Sequence, residues 1–294
     1  MRILLTGRNG QVGFELQRAL APLGEVLAFD RAGLDLADET AIRARLRDLR
    51  PDAIVNPAAY TAVDRAETDS ETAEAINAVA PGVLGEEAER LGALVIHYST
   101  DYVFDGQATG FQREADPTGP QGVYGRTKLA GEQALARTGA RHLIFRTSWV
   151  FGAHGANFLK TMLRLAAERE ALSVVADQIG APTAASLIAD VTAHALRQAL
   201  REPASVPDGV YHLAAAGETS WHAYASHVIA GARAAGRPLR VAEDAIRPIP
   251  AADYPTPARR PANSRLDTEK LRNTFGLVLP HWRDGVDHVL QQIL

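Results

Sequence analysis

Thr6-Gly7-Arg8-Asn9-Gly10-Gln11-Val12-Gly13 follows the apolar run Ile3 to Leu5 directly and opens the amphipathic stretch Gln11 to Ala21. Its three glycines stand two residues apart, so three bare backbones meet where a strand hands over to a helix. Glycine permits the tight turn and a close helix approach, and amide groups at the positive end of that helix can then carry a pyrophosphate. The spacing makes Gly7, Asn9, Gly10, Gln11, Val12 and Gly13 candidate dinucleotide-binding residues, provided the flanking chain reads as strand, turn and helix.

The chain around this turn does read so. Apolar runs at Ile3 to Leu5, Val26 to Phe29, Ala53 to Val55, Leu94 to Tyr98 and His142 to Arg146 alternate with amphipathic stretches at Gln11 to Ala21, Glu39 to Leu49, Glu71 to Arg90 and Val123 to Ala136. Short runs apolar on both faces and joined by helices belong in a parallel sheet covered on both sides. The fold class is therefore α/β, a Rossmann-type doubly wound parallel sheet. After about residue 150 the rhythm loosens, with helices predicted at Asn157 to Glu168, Ser186 to Leu200 and Ser220 to Ala235. We divide the chain into a dinucleotide-binding domain, 1–150 completed by about 174–214, and a smaller α/β substrate-binding lobe, 151–173 and about 215–294. Pro248, Pro250, Pro255, Pro257 and Pro261 exclude regular helix or central strand there and make that segment a candidate wall of the substrate site.

Composition excludes several classes. The 294 residues are 46% hydrophobic and 22% charged, which suits a folded globular body. A formal charge of −4 with both signs interspersed argues against nucleic acid as a partner. The absence of cysteine removes disulfide and thiolate chemistry and fits a reducing, cytoplasmic setting. The apolar N-terminal run is too short for a signal peptide, and no stretch reaches membrane-spanning length.

Asp30 closes the second apolar run, where a carboxylate can accept hydrogen bonds from an adenosine ribose and favour NAD. Arg31 follows it, and with Arg8 could neutralise a 2′-phosphate, so NADH and NADPH both stay open; both arginines are equally what a solvated surface carries. Asp35-Leu36 and Asn56-Pro57-Ala58-Ala59 lie just past expected strand ends, where ligands collect in open parallel sheets, although these are also ordinary turn formers.

Tyr124-Gly125-Arg126-Thr127-Lys128 puts a phenol and an ammonium four residues apart on one face of a helix. An adjacent cation stabilises a phenolate, so the pair predicts a phenol drawn below its usual value toward neutral pH, a proton donor in general acid catalysis. Ser99-Thr100-Asp101-Tyr102 closes the Leu94 to Tyr98 run at the same sheet edge. Thr100, or Ser99 beside it, can bind a substrate oxygen and complete a set that polarises a carbonyl next to a nicotinamide.

With these motifs in place the chain resembles the extended short-chain dehydrogenase/reductases and, within them, the branch of dTDP-4-dehydrorhamnose reductases. The likeness rests on Gly7 to Gly13, Ala58-Ala59-Tyr60-Thr61-Ala62-Val63-Asp64, Ser99 to Phe104, Tyr124 to Glu132 and Arg146-Thr147-Ser148-Trp149-Val150. It continues through Asp177-Gln178-Ile179-Gly180-Ala181-Pro182-Thr183 and Arg260 to Asp267. The resemblance implies Thr100, Tyr124 and Lys128 as the catalytic set. It implies reduction of the C4 ketone of dTDP-4-dehydro-L-rhamnose to dTDP-L-rhamnose, the last step in making that sugar donor. It adds Ala58, Ala59, Tyr60, Tyr124 and Lys128 to the cofactor contacts, and Thr61, Val63, Thr100, Asp101, Tyr102, Trp149, Asn157 and Arg260 to the substrate contacts.

By composition alone Trp149 and Phe151 read as core, Asp177 and Gln178 as site lining or turn caps, and Arg259 as the solvated neighbour of Arg260. Some relatives of this branch resemble magnesium-bridged dimers. Glu15 fits one bridging position, but Ser186 and Gln292 stand where two further carboxylates belong, so we expect no resident Mg2+ and a monomer or weak dimer. His97, His142, His194 and His212 form no metal spacing and read as structural. Two rivals share the resemblance: a nucleotide-sugar epimerase or dehydratase, and a non-catalytic NADP-binding regulatory subunit.

Overall fold

The computed structural model describes residues 1–294. Six parallel strands, β1 (Arg2–Leu5), β2 (Glu25–Ala28), β3 (Ala53–Asn56), β4 (Leu94–Thr100), β5 (His142–Thr147) and β6 (Gly209–His212), form one sheet in the order β6-β5-β4-β3-β1-β2. The chain leaves β1 toward β2 on one side and returns to β3 on the other. The crevice expected at such a reversal opens beyond the carboxyl ends of β1 and β3.

Alternation along the strands builds two cores. Ile3, Leu5, Val55, Ile96 and Phe145 face one way, against Leu16 and Leu20 of the first helix (Gln11–Leu20) and Ile188, Ala195 and Leu196 of the helix Ala185–Arg201. Leu4, Ile54, Val95 and Ile144 face the other way, against Ile42 and Leu46 of Glu39–Leu49, Leu84 and Ala88 of Ala80–Leu91, and Leu135 of Val123–Ala136. Double burial of this kind is why these strands read as continuous apolar runs.

The first five strands lie within two residues of their predicted ends; β6 was not predicted. The stretch expected as one helix from Glu71 to Arg90 is broken into Ser70–Glu74, a π-helical turn Ala75–Val79 and Ala80–Leu91. Pro81 supplies the reason, because it has no N–H with which to continue the ladder onto Asn77. The carbonyl so released is approached by Gly131, where an added Cβ would come within 2.0 Å of it. The helix Val123–Ala136, which carries Tyr124 and Lys128, thus packs unusually close to the π turn.

Phe151, Leu159, Leu163, Tyr224, Val228, Trp282 and Val286 form the core of a second lobe, around the helices Phe158–Glu168, Trp221–Ala234 and Trp282–Ile293. Pro248 sits in a strand after all, Ile246–Ile249, but in a two-stranded ladder with Leu172–Val175 rather than in the central sheet. Leu271, Phe275 and Leu279 come from the segment assigned to the second lobe, yet their side chains pack into the sheet's own core.

Candidate active site

A cleft of about 760 Å3 lies at the crevice, walled by the carboxyl edge of the sheet and by the start of the second lobe. Gly7 sits at φ +60, a left-handed conformation, and its Cα approaches Ala58 so closely that a Cβ would be 3.0 Å from that backbone. Gly13 is packed on Gly7, where a Cβ would lie 2.1 Å from the Gly7 carbonyl oxygen. A side chain at Gly13 would push the first helix off the turn, so that its N-terminal amides no longer faced the cleft, and one at Gly7 would strain the turn and drive it from the Ala58 loop.

The residues assigned from sequence to the cofactor mostly converge here: Gly7, Asn9, Gly10, Gln11, Val12, Gly13, Asp30, Arg31, Asp35, Leu36, Ala58, Ala59, Tyr124 and Lys128 all line the cleft. Tyr60 does not. Its hydroxyl donates to Asp69 at 2.9 Å and its N–H to Asn77 Oδ1 at 2.8 Å, so it anchors the loop from behind. Asp30 accepts from the Gly33 N–H at 3.1 Å, and that bond is the main cause holding its carboxyl below the usual range. Arg31 is turned onto Asp35 at 3.3 Å, and Arg8 lies 3.9 Å from Asp30, outside the cleft lining.

Of the substrate candidates, Thr61, Val63, Thr100, Asp101, Tyr102 and Trp149 line the cleft. Asn157 and Arg260 do not. Asn157 Oδ1 caps the helix Phe158–Glu168 by accepting from Lys160 N–H at 3.1 Å, while its Nδ2 donates to Gln11 Oε1 at 2.9 Å. Arg260 pairs with Asp64 at 2.8 Å, half-buried behind Tyr102. Arg259 is exposed, with one contact to Gln121 at 3.3 Å. No residue of the proline-dense segment lines this cleft, so it is not the wall expected from sequence; it touches the site only indirectly, through Arg260 against Tyr102.

Trp149 belongs to the site rather than to the core alone. Its φ of +48 is an outlier for a bulky residue, and its ring stacks on Trp221 at 3.7 Å and fills the space over Gly180. Backbone strain of this kind, on the order of 1–3 kcal/mol, persists where surrounding packing holds it, typically at ligand sites.

Of the residues expected from sequence to react, Thr100 and Lys128 are buried and Tyr124 is partly buried. Lys128 is 2% exposed; its Nζ donates to the Tyr98 carbonyl at 2.6 Å and lies 3.3 Å from His97 Nε2. Burial pushes its ammonium down to about 8, with Glu132 opposing the shift. Tyr124 corrects the sequence reading: its phenol is raised, first by burial and then by the Asp101 carboxylate, with only the Thr100 hydroxyl acting the other way. Lys128 is not among the groups that shift it; two of its ammonium protons point to Tyr98 and His97. Thr100 Oγ1 donates to Asp101 Oδ1 at 3.0 Å and stands by the phenol, which Ser99 does not; burial carries Asp101 itself up to about 6. Four buried polar atoms on this wall, Ser99 Oγ, Asp101 Oδ2, Thr147 Oγ1 and Ser148 Oγ, have no hydrogen-bond partner within the protein. Each such group costs about 1–3 kcal/mol, so their gathering marks a surface built for a polar ligand.

Sequence reasoning missed Asn77, Thr147 and Ser148. Asn77 Nδ2 donates to the Tyr60 carbonyl at 3.1 Å and to Thr127 Oγ1 at 3.2 Å, tying the Ala58–Tyr60 loop to the helix of Tyr124. Its only signal was one amide inside an apolar helical run. The expected weakness of a magnesium site has a physical counterpart: the Arg18 guanidinium reaches both Glu15, at 3.5 Å, and Asp190, at 2.9 Å, and Ser186 and Gln292 beside them carry no charge. That donor set does not fit a hard divalent ion.

Comparison with known proteins bears on the whole chain. A family model described as the RmlD substrate binding domain matches residues 1–294. A dTDP-4-dehydrorhamnose reductase of Escherichia coli (strain K12) is 53% identical over 297 residues, covering 100% of this chain and 98% of that protein. One from Burkholderia thailandensis is 51% identical over 296 residues, covering 100% and 99%. Among solved structures, a dTDP-4-dehydrorhamnose reductase from Bacillus anthracis in complex with NADP superposes with a TM-score of 0.89 at 33% identity, covering 99% of each chain.

Proposed function

The chain belongs to the RmlD family of dTDP-4-dehydrorhamnose reductases, and on that premise we propose that Thr100, Tyr124 and Lys128 are its catalytic set. It is an NAD(P)H-dependent oxidoreductase that reduces dTDP-4-dehydro-L-rhamnose to dTDP-L-rhamnose. The observation that carries the residue assignment is the convergence of Thr100, Tyr124 and Lys128 with the glycine turn and the unpartnered polar wall in one cleft.

The glycine turn and the first-helix amides would hold the pyrophosphate, Asp30 the adenosine ribose, and Lys128 the nicotinamide ribose. A bound reduced nicotinamide supplies the hydride that goes to C4. The Thr100 hydroxyl, turned from Asp101 toward the ketone oxygen, would donate to it and polarise it. Tyr124 then gives its phenolic proton to the alkoxide forming there. A phenol kept protonated by burial suits this direction, since the donor must hold its proton at neutral pH until an alkoxide, a much stronger base than phenolate, develops. The phenolate left behind is stabilised by the ammonium of Lys128. Trp149, with its stacked partner Trp221, would form the wall against the sugar nucleotide, and Thr61, Val63, Asp101 and Tyr102 the adjoining surface. No helix is long and apolar enough to cross a membrane, and we place the enzyme in the cytoplasm, where a chain without cysteine and an NAD(P)H-consuming reaction both fit.

The test is an assay with dTDP-4-dehydro-L-rhamnose and, in parallel, NADPH and NADH. Loss of reduced-cofactor absorbance in step with dTDP-L-rhamnose formation is expected. An isomerised sugar at unchanged absorbance would replace this reading with an epimerase. The pH profile adds a second expectation. If the working form of Lys128 is the ammonium, kcat falls as pH rises through about 8, because deprotonation removes the charge. A flat alkaline profile from pH 7 to 10 would show that the charge is not needed.

A further inference from the structure

A line of buried polar side chains runs beneath the cleft, across three neighbouring strands. Thr6 Oγ1, at the end of β1, lies 2.6 Å from the side-chain amide of Asn56 at the end of β3. Asn56 lies 3.1 Å from His97 Nδ1, its register partner on β4. His97 Nε2 lies 3.3 Å from Lys128 Nζ. All four residues are at most 2% exposed. Thr6 immediately precedes the glycine turn and also accepts from the Ala58 N–H at 3.3 Å, so the line joins the cofactor loop to the catalytic lysine.

Buried polar groups at the centre of a parallel sheet are costly and are rarely found there without a partner and a purpose. Asn56 Nδ2 is placed toward His97 Nδ1 and its Oδ1 toward Thr6 Oγ1, but oxygen and nitrogen of an amide are interchangeable by shape, so the charged end of the line sets its polarity and turns the amide end for end. An ammonium at Lys128 only donates, which requires a lone pair on His97 Nε2 and puts the imidazole proton on Nδ1, facing Asn56. Burial and the Lys128 charge both hold the imidazole of His97 well below its ordinary value, so it is neutral and able to accept. With the Tyr98 carbonyl on a second proton, the ammonium is held by two acceptors from successive residues of β4. The third proton is left for the cleft.

We propose that His97 is a positioning residue for the reduction: its neutral imidazole, oriented through Asn56 and Thr6, accepts from Lys128 and aims the ammonium at the nicotinamide ribose and the phenol of Tyr124. This rests on the catalytic reading of Lys128 given above. The other charged and titratable groups around Lys128 are Glu132 and Tyr124 on its own helix; Glu132 is committed to Arg146 of β5, and Asp101 at the end of β4 acts on Tyr124.

Three substitutions separate positioning from packing. Gln places a carbonyl oxygen where Nε2 was and can accept from Lys128; Asn is one methylene shorter and reaches only as far as Nδ1; Leu accepts nothing. His97→Leu is expected to lower kcat roughly tenfold, the scale of one hydrogen bond to a charged group, to raise the cofactor KM severalfold and to move the alkaline limb to lower pH. His97→Gln should restore most of kcat and return the limb toward its original place, and His97→Asn should not. Should His97→Leu fail to fold, the Gln and Asn pair still decides. Equal kcat, cofactor KM and alkaline limb in those two variants, or wild-type values in a folded His97→Leu enzyme, overturns the proposal. Lys128→Met is run beside them: full activity in that variant removes the catalytic reading itself, whereas an inactive Lys128→Met beside an unaffected His97→Leu removes only the role of His97.

Discussion

Replacing Tyr124 with Phe is expected to lower kcat by about a hundredfold or more, the scale on which a positioned general acid contributes, while the cofactor Kd changes by less than about twofold. The split follows from where the hydroxyl sits. The ring packs edge-on to Tyr102 at 5.5 Å between centroids, and Phe keeps that contact. The lost hydroxyl stands beside Thr100 and the Asp101 carboxylate, at the polar wall and not at the glycine turn. What disappears is the proton delivered to the alkoxide, an interaction that matters only as charge develops, so kcat should fall with kcat/KM while ground-state binding persists. The thermal midpoint should stay close to the parent's. Stopped-flow turnover together with cofactor titration by fluorescence decides the matter: a fully active Tyr124→Phe enzyme removes the phenol from the chemistry.

The same residue shows where sequence reasoning ends. The spacing of Tyr124 and Lys128 correctly put both on one face of one helix and in one cleft. It could not give the direction of either shift, because burial and the neighbours contributed by β4 decide that, and those are tertiary facts. Four of the six sheet strands were legible because double burial writes itself as short apolar runs, and the edge strand β2, only partly buried, was legible from its apolar run alone. β6 was not, since within it only Val210 and Tyr211, between Gly209 and His212, carry the strand signal. The break at Ala75–Val79 was hidden for another reason: Pro81 is tolerated in the first turn of a helix, so nothing local announced that the preceding ladder had to widen. Asn157 and Arg260 were carried over by likeness of motif. The structure spends the first on a helix cap and on Gln11, and the second on Asp64, so each supports the cleft from outside its lining.

Arg146→Met is expected to cost about 3–5 kcal/mol at neutral pH, the largest stability change we predict for a single substitution in this chain. Arg146 meets Glu132 through two parallel bonds, Nε to Oε1 at 2.9 Å and Nη2 to Oε2 at 2.7 Å, with both side chains 5% exposed. The guanidinium also lies 5.0 Å from the centre of the Phe104 ring. A forked pair in so dry a place is not strongly stabilising against an apolar replacement, but removing one member strands the other charge without water. In Arg146→Met the stranded group is a carboxylate, which can escape by taking up a proton, so the deficit should shrink as the pH is lowered. In Glu132→Leu it is a guanidinium, which cannot shed its proton in this range, so the deficit should be nearly independent of pH. The double variant Arg146→Met/Glu132→Leu should recover most of the loss. Glu132 lies one turn beyond Lys128 and works to raise its affinity for a proton, so both variants lacking that carboxylate should also show the alkaline fall in kcat at lower pH. Urea unfolding at several pH values reads the first set of effects and the pH–rate profile the second. A loss below about 1 kcal/mol in Arg146→Met would mean that the pair is solvated like a surface bridge, and the helix carrying Tyr124 and Lys128 would then be fixed against β5 by apolar packing alone.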